Sequence, residues 1–176
     1  HTPVIMLTAR GDDVDRIISA WQKQRPDLDV SPLAVLSRVS RLARHLDSRR
    51  RQAFLGHGLE IWEFDVLAAL RKADHPYTLS PGELLTETLV SSGTMTNRID
   101  RLVARGLVSR EPSPTDRRSV RVALTAEGLA AVDAAMVDLL AAEQSILADL
   151  APAEREALAT LLRRVVLPFE SGNAAG

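Results

Sequence analysis

The apolar residues Met95, Ile99, Leu102 and Val103 keep helical spacing until Gly106, and the period then changes to two. Leu107-Val108-Ser109-Arg110 and Val120-Arg121-Val122-Ala123-Leu124 both alternate in the manner of half-buried strands. Between them, Glu111–Ser119 carries two prolines and no apolar anchor, which predicts a hairpin tip. Every other periodic stretch is helical, so the expected class is mainly α with one small two-stranded ribbon, an α+β chain.

The helical stretches are punctuated clearly. Asp12–Arg25 is acidic at its start, carries Ile17, Ile18 and Trp21, and stops at Arg25-Pro26. Ser31-Pro32 is a cap followed by a first-turn proline, with Val35, Leu36, Val39, Leu42 and Leu46 at helical spacing beyond it. Leu59–Ala73 is apolar nearly all round and reads as a central buried helix. Ser80-Pro81-Gly82-Glu83 is a capping box that opens a short helix through Thr88, and Ser91 and Ser92 cap the next. Thr125 caps a long helix with apolar positions from Leu129 to Leu150, and a last helix is expected from Pro152 to about Val166.

Composition enters through charge. The 176 residues hold 22 basic and 23 acidic side chains, and the formal net charge of −1 argues against a nucleic-acid partner. Divided by segment, the charge is +5 over Arg38–Arg51, +4 over Ser91–Arg121 and −5 from Ala126 to the end. The near-neutral total therefore conceals a basic middle and an acidic tail. With no cysteine, disulfides, thiolate metal sites and thiol redox sensing are excluded. No run of about 18 apolar residues is present, so no membrane span is expected. Residues 1–11 are expected to be a disordered lead-in or an expression remnant.

A short helix, a three-residue connection, a second helix and a hairpin make the winged helix-turn-helix arrangement. With its apolar side inward, the helix over residues 91–105 presents Ser92, Thr94, Asn97, Arg98 and Arg101. Those residue types suit major-groove readout: Arg for guanine, Asn for adenine, hydroxyls for phosphates and thymine methyls. A merely solvated polar face is the competing reading of that helix alone. The tip Pro112-Ser113-Pro114-Thr115-Asp116-Arg117-Arg118 adds an arginine able to enter a narrow minor groove, with Asp116 placed to orient the Arg118 guanidinium. Helix and tip together point to double-stranded DNA.

Residues 91–128, SSGTMTNRIDRLVARGLVSREPSPTDRRSVRVALTAEG, resemble the DNA-binding core of MarR-type bacterial regulators. That pattern has a reader helix, an Asp-Arg-Arg wing and a Leu-Thr-x-x-Gly exit. The resemblance covers most of residues 12–168. It implies a cytoplasmic transcriptional repressor, homodimeric through its N- and C-terminal helices, on a pseudo-palindromic operator, with Asp116, Arg117 and Arg118 at the wing. It divides the chain into an extra helix plus first dimerisation helix over 12–58, a winged domain over 59–125 (reader helix 91–105, wing 107–124), dimerisation helices over 126–168 and a tail over 169–176.

The added helix and the segment Arg25-Pro26-Asp27-Leu28-Asp29 resemble the urate-responsive, PecS-like branch of that family. The branch implies a site for a small anionic effector at Trp21, Asp65 and Arg98. Read by themselves, Trp21 is a core residue or a ligand platform. Asp65, on an apolar strip with Ile61 and Ala68/Ala69, is ion-paired, neutralised or functional. The Arg38–Arg51 cluster is a solvated face or a phosphate-contacting flank. The stripes at Val132–Leu150 and Leu158–Val165 exceed what a small winged domain covers, which suggests a partner chain.

Other classes fit less well. His57-x-x-Glu60-x-x-Glu63 is the one cluster with conceivable metal spacing and lacks a second histidine, and no phosphate loop or nucleophile–base pair is visible. No enzyme activity, cofactor or metal is expected. A MarR-like regulator without a ligand and a helical dimeric adaptor remain as alternatives.

Overall fold

The computed structural model describes residues 13–172; the expected lead-in over 1–11 and the last four residues of the tail lie outside them. The chain divides into two compact units, residues 1–49 and 50–176.

In the first unit, α1 (Asp13–Gln24) is followed by the start of α2 (Pro32–Leu55). Asp13 and Asp15, in the first turn of α1, complement the helix dipole and pair with Arg41 at 3.1 Å and Arg38 at 2.8 Å. The turn is closed by Arg25, bidentate to Asp27 at 2.8 and 2.6 Å, and by Asp29, which accepts the Ser31 N–H at 3.0 Å. Val14 is buried, while Ile17, Trp21, Val35, Leu36, Val39 and Leu42 are exposed.

In the second unit, the core forms around α3 (Ile61–Lys72), where Val66, Leu67 and Leu70 have no exposed surface. Phe54, at the end of α2, stacks on Phe64 with ring centroids 4.1 Å apart. Onto α3 pack α4 (Pro81–Thr88), through Leu84, and α6 (Ala126–Ile146), through Val132, Ala135 and Leu139, while α5 (Ser92–Ala104) packs on α4 and adds Met95, Ile99 and Leu102 to the same core. The capping box at Ser80 forms as expected. Ser80 Oγ accepts the Glu83 N–H at 3.1 Å and Glu83 accepts the Ser80 N–H at 2.7 Å. These bonds, with help from Arg121, hold the Glu83 carboxyl below its ordinary pKa.

The sheet differs from expectation. It has three antiparallel strands in the order β1-β3-β2, with β1 (Thr78–Leu79) added to the hairpin of β2 (Val108–Pro112) and β3 (Val120–Leu124). Thr78 and Leu79 pair with Ala123 and Val122. Glu111 and Pro112, expected in the tip, instead pair with Arg121 and Val120, so the tip shortens to residues 113–119 and closes on a Ser113 N–H to Ser119 C=O bond of 2.9 Å.

Two glycines position the ribbon. Gly106 has φ +72°, the left-handed turn that ends α5 before β2. Gly128 lets α6 touch the ribbon's root: a Cβ there would lie 2.0 Å from the Leu107 carbonyl oxygen. The Thr125 hydroxyl completes the joint, donating to Gly106 C=O at 2.7 Å and accepting the Gly128 N–H at 3.0 Å.

The last helices also depart from the pattern. The long helix ends at Ile146, and a turn follows where helical spacing continues to Leu150. The final helix, α7 (Pro152–Gly172), runs past Val166 and buries none of its residues within the chain. Among the described residues no helix is long and apolar enough to cross a membrane.

Candidate nucleic-acid interface

Leu89, Val90 and Ser91 connect α4 to α5. Ser91 caps α5, its hydroxyl accepting the Thr94 N–H at 3.3 Å and donating to the Thr94 hydroxyl at 2.9 Å. Ser92, Thr94, Thr96 and Asn97 are exposed on the outer side of the helix. Ser92, Thr94 and Asn97 thus lie where the sequence predicts.

Arg98 and Arg101 take a different direction. With Arg105 they form a stripe at i, i+3 and i+7 that faces the N-terminal turn of α3. The Arg98 and Arg101 guanidiniums lie 5.4 and 4.7 Å from the centre of the Trp62 ring. Arg101 Nη2 is 3.7 Å from the Glu60 carboxylate, which also accepts the Trp62 indole N–H. Arg105, missed by sequence reasoning, donates to Glu63 at 2.5 Å and to the Gly58 carbonyl at 2.8 Å.

Glu63 corrects the reading of the central helix. The acid sealed in the interior is Glu63, 2% exposed, and not Asp65. Its second oxygen accepts the Glu60 N–H at 2.8 Å, so both oxygens are satisfied. A glutamate three residues after the helix cap is the sequence signal that could have found it.

Asp65 keeps solvent contact and has no ion pair among the described residues. Desolvation pushes its pKa above the ordinary carboxylate value, while Arg50, Arg98 and Lys72 pull the other way. It stands between two clefts. One, of about 530 Å³, holds Asp65 with Arg98, Trp62, Arg51, Ile61 and Leu55. The other, of about 440 Å³, lies toward Phe64, Ala68, Leu89, Val132 and Met136. The structure therefore brings Asp65 and Arg98 into one cleft, where the indole present is Trp62. Trp21 belongs to the first unit and there lines a shallow apolar pocket with Ile17, Ala20 and Gln24.

At the wing, Asp116 acts on the backbone rather than on the guanidinium: its carboxylate accepts the Arg118 N–H at 2.9 Å. This Asx turn stiffens the tip. Arg117 and Arg118 are exposed with no side-chain partner among the described residues. The other arginines of the basic segment are committed: Arg110 pairs with Asp100, and Arg121 bonds the Thr78 carbonyl at 3.0 Å. Likewise Arg38, Arg41 and Arg50 of the Arg38–Arg51 cluster are ion-paired, Arg50 with Glu143 at 3.1 Å, while Arg44, Arg49 and Arg51 are exposed.

The three residues of the metal alternative each have other partners. His57 Nε2 lies 2.6 Å from Asp138, while Glu60 and Glu63 hold Trp62 and Arg105. Among the described residues no three potential ligands converge.

A family model described as the MarR family matches residues 57–119. The transcriptional regulator PecS of Dickeya dadantii is 38% identical over 125 residues, covering 71% of this chain and 75% of PecS. The chain belongs to the MarR family. It is thus a winged-helix transcriptional regulator and not an enzyme. Among solved structures, a mutant MarR from E. coli complexed with operator DNA is 27% identical, with 79% of this chain and 99% of that one covered at a TM-score of 0.65. Bordetella bronchiseptica BpsR, whose DNA binding is regulated by 6-hydroxynicotinic acid, is 33% identical over 72% of this chain and 91% of that one, at a TM-score of 0.57.

Proposed function

We propose that this MarR-family chain is a cytoplasmic, homodimeric repressor that binds a pseudo-palindromic operator in double-stranded DNA and is released by a small anionic effector, urate-like or an organic acid. The observation that carries it is the wing tip: Arg117 and Arg118 are exposed, without side-chain partners among the described residues, beside a reader helix showing Ser92, Thr94 and Asn97 to solvent. Arg98 and Arg101 complete the set, and the Asp116 turn aims Arg118. The similarity to a MarR bound to operator DNA supports the same use.

Dimerisation is supported by uncovered apolar surface. Leu161, Val165, Val166, Leu167 and Phe169 on α7, and Met136, Val137 and Leu140 on α6, are exposed. Residues 12–58 and 126–168 would form the dimer body and 59–125 the DNA-binding domain. For the effector, Asp65 and Arg98 share a cleft able to admit a planar anion; the resemblance to the PecS-like branch, and not that cleft's lining, is what adds Trp21 to the proposed set. An anion there would be drawn to Arg98 and repelled by ionised Asp65, shifting the reader helix. The likeness to BpsR supports a heteroaromatic acid as the class.

The test is a salt-titrated binding assay on the DNA upstream of the chain's own gene. Affinity should fall steeply with salt as counterions are released, and Arg118→Ala should weaken it about ten-fold with the dimer intact. No preference for that DNA would sink the regulator reading. Urate should release the DNA and, in a Trp62→Phe chain, quench the remaining Trp21 fluorescence; unchanged release in Asp65→Ala and Arg98→Ala variants that still bind DNA would exclude the effector site.

A further inference from the structure

We propose that Trp62 is a positioning residue for operator binding: its indole is a platform that holds the guanidiniums of Arg98 and Arg101 together, with their donor edges free. The proposal rests on α5 being the reader helix.

The two arginines are one helical turn apart and share one ring, at 5.4 and 4.7 Å from its centre. Stacking uses the face of a guanidinium, while all five N–H donors lie in its plane. A guanidinium that meets the ring with its face keeps its capacity for bidentate bonds to guanine or phosphate, and neither Arg98 nor Arg101 makes a side-chain hydrogen bond among the described residues. The ring is itself fixed, because its N–H donates to Glu60. Glu60 stands 3.7 Å from Arg101, beyond direct hydrogen bonding, so a phosphate can replace it. Trp62 also sits in the turn that Glu63 and Arg105 lock to the reader helix, so platform and helix move as one. An unsupported arginine surrenders several rotatable bonds on binding DNA; these two have surrendered them beforehand.

The experiment measures DNA binding by the full chain carrying Trp62→Phe or Trp62→Met, with thermal melting as the check on folding. Phenylalanine keeps a smaller platform and should bind within about three-fold of the unsubstituted chain, while methionine should lose about ten-fold. Arg101→Gln should cost less beside Trp62→Met than alone, since the two act through one contact. A second measurement needs no variant. In the DNA-free protein, NMR should find the Arg98 and Arg101 side-chain protons displaced by the indole ring current.

A folded Trp62→Met chain that binds like the unsubstituted one, strictly additive effects, or undisplaced arginine resonances would each overturn the platform. An unsubstituted chain that binds no DNA would instead refute the reader-helix reading beneath it.

Discussion

Replacing Arg105 by methionine keeps most of the stem and removes the charge that neutralises Glu63. The Glu63 side chain is 3% exposed and that of Arg105 42%. Breaking a fully buried pair costs about 3–5 kcal/mol, because the remaining charge stays desolvated. Here water reaches the arginine side and screens part of the attraction, and the Glu60 N–H still serves one carboxylate oxygen. The expected cost is about 2 kcal/mol, a factor of about 30 in the folding equilibrium. In urea the unfolding midpoint should fall by roughly 1 M at unchanged slope and fixed protein concentration. Glu63→Leu combined with Arg105→Met removes both charges and should cost less than Arg105→Met alone. A single-variant loss below about 0.5 kcal/mol, or additive losses in the pair, would refute the view that this ion pair locks the reader helix to α3.

Gly128→Ala would drive a methyl group onto the Leu107 carbonyl oxygen, which sits in backbone and cannot yield; thermal melting should show a loss of at least about 3 kcal/mol. Ser80→Ala removes the cap of α4 and should cost about 1 kcal/mol in the same assay. Asp65 gives a pH signature. Burial raises its pKa in the fold, so the folded chain holds the proton more tightly than the unfolded one. Its stabilising contribution is then complete below the ordinary carboxylate pKa and is lost as pH rises through the raised value. Asp65→Asn should flatten that limb of the Tm–pH curve and raise Tm at neutral pH; a lowered Tm at neutral pH would show that Asp65 is held by its cationic neighbours instead.

What could be read from the sequence was local. Ser80, Ser91 and Thr125 announce their helices because a cap is a bond between residues three apart, and Gly106 marks the end of α5 because only the residue at that turn matters. The missed features are made by tertiary contact. Thr78 and Leu79 carry no periodic signal and become a strand only because β3 offers its free edge. Glu63 and Asp65 sit in the same apolar context; the cap spacing hints at Glu63, but the partner that lets it be buried, Arg105, stands at the end of another helix. Segment charge is a coarse guide in the same sense. The +4 over residues 91–121 counts seven arginines, of which Arg98, Arg101, Arg117 and Arg118 are expected at DNA. In the fold Arg105, Arg110 and Arg121 hold the domain together, Arg98 and Arg101 lean on Trp62, and the tip pair has no side-chain partner among the described residues.

The order of the sheet has a consequence for how the protein keeps to itself. With β3 in the middle, β1 and β2 are both edges, and an edge strand is an invitation for a neighbouring chain to add one of its own. β1 is only two residues long. The outer part of β2 is Arg110, Glu111 and Pro112, two charges followed by a residue with no N–H to donate. The hairpin can thus stand out in solvent as a probe while offering other chains almost no template for strand addition. The same proline that stiffens the entry to the tip also guards against wing-to-wing aggregation.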